Sequence, residues 1–238
     1  MKKYSAFYIP YLVFVLTLVV LIICNEKANL HLWIISFNSP IADVFFRYIT
    51  FVGDWVPYAA VAGLLFYRYR MAAFVLFSQL ASGLVSIIIK QTWNEPRPVL
   101  YFKEHFPTIQ LHQITGDHMH SSHSFPSGHT ITAFAFFLAL SFFTKRPSLH
   151  FVYFILAFMV AYSRVYLSQH FPIDVLVGSF IGVSVTIVCK YYFDKQELKW
   201  ADGSLRDVFW EKRADKVGLL NKKSYLCKLK LKKRDWVF

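Results

Sequence analysis

Arg164, His170 and Asp174 stand 6 and 4 residues apart in apolar surroundings. An imidazole can attack an electrophile through one nitrogen while a carboxylate fixes the other. A guanidinium offers a fork of donors that matches phosphate oxygens. The three together suit nucleophilic attack on phosphorus, although a His-Asp pair that merely ties a hairpin has the same spacing. Two further runs carry related chemistry. Lys90-Gln-Thr-Trp-Asn-Glu-Pro-Arg97-Pro98 supplies two more cations, and Ser124-Phe-Pro126-Ser127-Gly128-His129 supplies a second histidine. Ser127 suits a helix cap, and Gly128 lets a ligand approach the backbone closely. A helix that starts there presents free N–H groups and a positive dipole to an anion. Simple capping needs no ligand, so this run is weak alone. One cation among Lys90, Arg97 and Arg164 would read as interfacial snorkelling. Three at one membrane face favour a phosphate dianion, because charge in such surroundings is costly without a counter-ion.

The elements that must position these residues are apolar and of membrane length. The hydrophobic fraction is 56%, above the usual range of about 45–50%. A span needs about 20 mostly apolar residues. Candidates are Phe7 to Cys24, Trp55 to Tyr67, Met71 to Ile89, Thr130 to Phe143, Leu149 to Tyr166 and Ile173 to Tyr192. The second and fourth are short by hydropathy, and residues 52–58 and 123–128 can extend them. No small-x-small cleavage site follows the first candidate, which reads as an uncleaved span. The expectation is an all-α, polytopic bundle of six transmembrane helices over residues 1–193, followed by a basic cytoplasmic tail over 194–238.

Loop charge gives the side. With the N-terminus inside, inner segments hold 20 Lys and Arg: Lys2, Lys3, Arg68, Arg70, Lys145, Arg146 and the 14 from Lys190 onward. Outer segments hold Lys27, Arg47 and Lys103 besides the three motif cations. That is the positive-inside asymmetry. It places both termini in the cytoplasm and every motif residue on the outer face. Pro172 suits the first turn of the last helix. His170 then precedes that helix, and Asp174, in its first turn, reaches one imidazole nitrogen.

The pattern Lys-x6-Arg-Pro, Pro-Ser-Gly-His, Ser-Arg-x5-His-x3-Asp resembles the type-2 phosphatidic acid phosphatase superfamily. All three motifs are complete and in order, and the resemblance covers about Met1 to Tyr192. It implies a phosphatase that uses no metal and no other cofactor. By that resemblance His170 is the nucleophile that forms a phosphohistidine and Asp174 orients it. His129 protonates the leaving oxygen and later activates water. Lys90, Arg97, Ser127, Gly128 and Arg164 cradle the phosphate and the transition-state charge. Ser163 and Pro98 complete the motifs without a chemical role. Hydrolysis of phosphate monoesters is accelerated by up to about 10²¹-fold in enzymes. Positioning supplies roughly 7–11 kcal/mol, and preorganised cations must supply much of the remainder.

The expected partner is a lipid substrate in the bilayer of a bacterial inner membrane, with its phosphate at the outer headgroup level. Undecaprenyl diphosphate or lipid A is favoured. Phosphatidylglycerol phosphate and phosphatidic acid remain open. So do a lipid phosphotransferase and a non-catalytic lipid-binding scaffold. The soluble vanadium haloperoxidases share the oxyanion motifs, but six apolar spans argue against them. The net charge of +12 does not indicate nucleic acid, because no nucleic-acid motif accompanies it. From Lys190 onward 14 Lys and Arg face 7 Asp and Glu. That balance suits contact with an anionic inner leaflet or a small cytosolic docking element. Cys24, Cys189 and Cys227 form no disulfide framework. The outer loop 91–126 is expected to shape the entrance to the site. Its His105, His112, His118, His120 and His123, with Asp117, admit a metal site but lack a fixed tetrahedral pattern, and contact with a polar headgroup is preferred. Glu95 reads as a solvated loop charge.

Overall fold

The computed structural model describes residues 2–112, 121–196, 201 and 203–209. The described residues contain helices and no strand. In chain order the helices are α1 (Ser5–Cys24), α2 (Lys27–Ile35), α3 (Pro40–Ile49), α4 (Val56–Tyr67), α5 (Tyr69–Thr92), α6 (Pro98–His105), α7 (Gly128–Phe143), α8 (Pro147–Tyr166) and α9 (Pro172–Asp194). Each predicted span has a helix at its place. The thiols of Cys24 and Cys189 are free. Cys227 and the basic run that ends the tail lie outside the described residues.

Four helices, α1, α5, α8 and α9, are long and apolar enough to cross a membrane. Their outward faces are apolar as well. Leu12, Leu16 and Val20 of α1 are exposed, as are Leu80, Leu84 and Ile87 of α5 and Phe180, Ile187 and Val188 of α9. In water such a surface would drive association, whereas lipid tails solvate it. The expected span over 55–67 is not a lone straight helix. α3, a 3₁₀ turn at Thr50–Gly53 and α4 follow one another with a bend of 53°. A Cβ on Gly53 would lie 2.5 Å from Val160 Cγ1 and 2.7 Å from the carbonyl oxygen of His129. Only a glycine lets the bend sit this close to α8 and the start of α7.

α7 has 16 residues, fewer than a full span, and it is the most enclosed helix. α5, α8 and α9 pack around it. Phe134, Leu138 and Ala139 are wholly buried, which explains why this segment is apolar on all sides. Gly178 and Gly182 of α9 face it one turn apart. A Cβ on Gly182 would lie 2.6 Å from the carbonyl of Ile131, and one on Gly178 2.9 Å from that of Ser127. Small residues at this spacing let two backbones approach. The approach is fixed at the helix starts, where the Ser127 amide donates to the Asp174 carbonyl at 3.1 Å. Two helix N-termini that carry motif residues are thereby held side by side.

Candidate active site

α8 delivers Arg164 in its last turn and then reverses. The Arg164 carbonyl accepts from the amides of Gln169 at 3.0 Å and His170 at 3.1 Å. Ser168 turns the chain in the left-handed region, φ 51°, a common way to end a helix. Pro172 then opens α9 as expected. His170 is 1% exposed and Asp174 3%. Asp174 Oδ2 accepts from three donors: the Ser124 hydroxyl at 2.5 Å, the Phe171 amide at 2.9 Å and His170 Nδ1 at 3.4 Å. The last contact is loose, but it occupies Nδ1 and leaves Nε2 for chemistry. Burial pushes the His170 imidazole from its ordinary 6.5 down to about 4, against the pull of Asp174 in the other direction. The ring is therefore neutral, and its lone pair available, throughout the neutral range.

The cations come from three elements. Lys90, in the last turn of α5, donates to the His123 carbonyl at 3.1 Å. Arg97 precedes α6; its Nε donates to the Ser122 carbonyl at 3.0 Å, and Nη1 to Gln169 Oε1 at 2.9 Å. The flanking loops are laced together: the Arg97 amide donates to Ser121 and the Ser124 amide to Glu95, both at 2.9 Å. Arg164 Nη1 donates to the Thr50 hydroxyl at 2.5 Å. A cavity of about 320 Å³ is lined by Lys90, Arg97, Gly128, His129, Arg164 and His170, together with Arg47, Thr50, Phe51, Leu167 and Gln169. Its charged lining among the described residues is cationic, so it suits an anion. A larger cavity of about 410 Å³ lies beside α6. Among the described residues Lys103 is its one charged lining residue and no His-Asp pair lines it, so the smaller cavity is the candidate site.

The chain belongs to the PAP2 superfamily. The model of that family matches residues 71–198, which include all three motifs. The chain is similar to the lipid A 1-phosphatase of Rhizobium johnstonii, 28% identical over 124 residues, 52% of this chain and 48% of the relative. It is also similar to the lipid A 4'-phosphatase of Porphyromonas gingivalis, 26% identical over 172 residues, 68% of this chain and 71% of that protein. Among solved structures, that of Aquifex aeolicus LpxE superposes with a TM-score of 0.61 at 26% identity, covering 70% of this chain and 95% of the other. The chain spans about half the length of the first of these curated relatives.

Within this PAP2 fold six of the eight expected site residues line one cavity. The other two, Ser127 and Asp174, are buried and do not line it. Ser127 does stand at the N-cap of α7, yet its hydroxyl makes no cap bond there. It accepts instead from the Thr130 hydroxyl at 2.9 Å. A Cβ on Gly128 would meet nothing within 4 Å, so the missing side chain leaves open space at the cavity wall. Ser124, Gln169 and Thr50 were not expected as site residues; they hydrogen-bond Asp174, Arg97 and Arg164 respectively. Ser124 and Gln169 lie inside motif runs and carried that much signal. Thr50 and Arg47 carried none, because they lie ahead of the matched residues.

Of the loop histidines, His105 Nδ1 contacts the Tyr101 carbonyl at 3.0 Å, and His112 Nε2 pairs with Asp43 at 2.9 Å. The His123 carbonyl holds Lys90. Asp117, His118 and His120 lie outside the described residues. Among the described residues no group of three or more His, Cys, Asp or Glu is placed to hold a metal.

Proposed function

We propose that the chain is an integral membrane phosphatase that hydrolyses a lipid phosphate or diphosphate through a phosphohistidine at His170. The observation that carries this reading is the convergence of the His170–Asp174 pair, His129, Lys90, Arg97 and Arg164 at one cavity. His170 Nε2 attacks phosphorus while Asp174 holds Nδ1–H. His129 passes a proton to the oxygen that leaves, so the lipid departs as an alcohol or a monophosphate. His129 then takes a proton from water, the hydroxide breaks the P–N bond, and inorganic phosphate is released. Lys90, Arg97 and Arg164 meet the charge that develops on the transferring oxygens, with Ser127 and Gly128 presenting the start of α7. No step requires a metal.

The architecture we propose has six spans: the four long helices, the bent α3–α4 pair and α7. Both termini are cytoplasmic and the cavity opens at the periplasmic face of a bacterial inner membrane. The distribution of Lys and Arg supports that orientation. The relatives named as lipid A phosphatases support lipid A as a substrate class, and undecaprenyl diphosphate fits the same chemistry. The test is phosphate release by purified protein from a panel of lipid phosphates, with His170→Gln as control. Release from at least one lipid, abolished in the variant, is the expected result. Turnover retained in the variant would refute the nucleophile assignment.

A further inference from the structure

Arg47 belongs to none of the three motifs, yet it lines the same cavity as His170. It lies on α3, ahead of the segment matched by the family model. Arg47 and Thr50 stand three residues apart and share a helix face, and Thr50 is the partner of Arg164 Nη1. α3 itself is anchored. The Tyr166 hydroxyl donates to Asp43 Oδ1 at 2.6 Å, and the Ser39 amide donates to the Tyr166 oxygen at 3.2 Å. His112 closes on the same carboxylate. Tyr166 lies two residues beyond Arg164 on α8, so Arg47 is held in register with the phosphate-binding cations.

On the reading of this cavity as a lipid-phosphate site, the geometry points to Arg47 as the residue that recognises a second oxyanion bonded to the transferred phosphoryl group. The enzyme then favours lipid diphosphates over the matching monophosphates. Lys90, Arg97 and Arg164 converge with His170 and His129 on the reacting phosphorus. Arg47 enters the cavity from a separate element and brings a third guanidinium to it. The cavity measures about 320 Å³, so an anion that meets Arg47 while phosphorus meets His170 must be attached close by. A phosphate at the far end of a sugar headgroup would lie outside it. A second phosphate in direct linkage meets the requirement.

The test compares farnesyl diphosphate with farnesyl monophosphate, which share one tail, as initial rates of phosphate release. Wild type, Arg47→Ala and Arg47→Lys are measured in detergent, with thermal unfolding as the check on folding. A charge-assisted hydrogen bond lost from one substrate only predicts that Arg47→Ala lowers kcat/KM for the diphosphate by about 10-fold or more. The monophosphate should change by less than about 3-fold, and Arg47→Lys should restore part of the diphosphate rate. Equal losses on both substrates, or none on either, overturn the assignment. If Arg47→Ala does not fold, Arg47→Gln is read by the same criteria. A wild type that releases phosphate from neither probe nor any lipid of the panel refutes the phosphatase reading itself. An active wild type with an unaltered variant refutes only the role of Arg47.

Discussion

Asp174 Oδ2 gathers the Ser124 hydroxyl, the Phe171 amide and His170 Nδ1. Its position is set by the first two, and the imidazole is oriented by what they fix. Ser124→Ala removes a hydrogen bond to a charged group, of the order of 1.5–3 kcal/mol. Turnover should fall by about 10- to 100-fold with KM little changed, as steady-state kinetics would show; a pure KM effect contradicts this role. Asp174→Asn should be more severe, by about 10³–10⁴-fold in kcat, the scale of losing an orienting carboxylate. Burial lowers His170 to about 4, and it does the same to His31, whose Nε2 meets the Ser168 hydroxyl at 3.2 Å. Both groups take up protons more readily when unfolded. The stability that these two groups contribute is therefore full above pH 6.5 and is lost as pH falls from 6.5 towards about 4. Histidine-resolved NMR titration should find both rings neutral at pH 5.5, and a midpoint near 6.5 for His170 would contradict its buried placement.

At the scale of elements, the backbone approach of α9 to α7 aligns the two helix starts that carry Ser127, His129 and Asp174. Gly182→Ala forces a methyl against the Ile131 carbonyl, only 2.6 Å away. Overpacking of this kind costs about 1–3 kcal/mol. Thermal unfolding in detergent should register it together with reduced turnover, whereas an unchanged midpoint would show that the close approach is not required. Helices at the apolar segments and the three motifs were legible in the sequence because each depends on local composition or on fixed local spacing. Pro172 and Asp174 at the start of α9 are of this kind. The bend at Gly53 was not legible, since it is set by distant partners, Val160 and the His129 carbonyl. Thr50 was hidden for the same reason: a lone Thr has no signature until the fold brings Arg164 to it. Ser127 shows the converse, a residue of cap type at a cap position whose hydroxyl is taken by Thr130.

The described residues read as a lipid-solvated bundle with a cationic cavity where the three motifs meet, and its orientation can be tested by labelling. In otherwise cysteine-free protein, Lys103→Cys should react with an impermeant maleimide added to intact cells, while Cys227 alone should react only after permeabilisation. The opposite pattern would invert the proposed topology. Chelation should leave phosphate release unchanged, because every proposed step uses side chains alone; loss restored by zinc would make metal ligands of the loop histidines. The most direct measurement concerns the covalent intermediate. Purified protein is mixed with a lipid phosphate labelled at phosphorus, quenched in alkali within the first turnover and digested for mass spectrometry. The account predicts a phosphohistidine at His170, absent from His170→Gln. A phosphoryl group on any other residue, or normal turnover with no phosphoenzyme at any quench time, would contradict it.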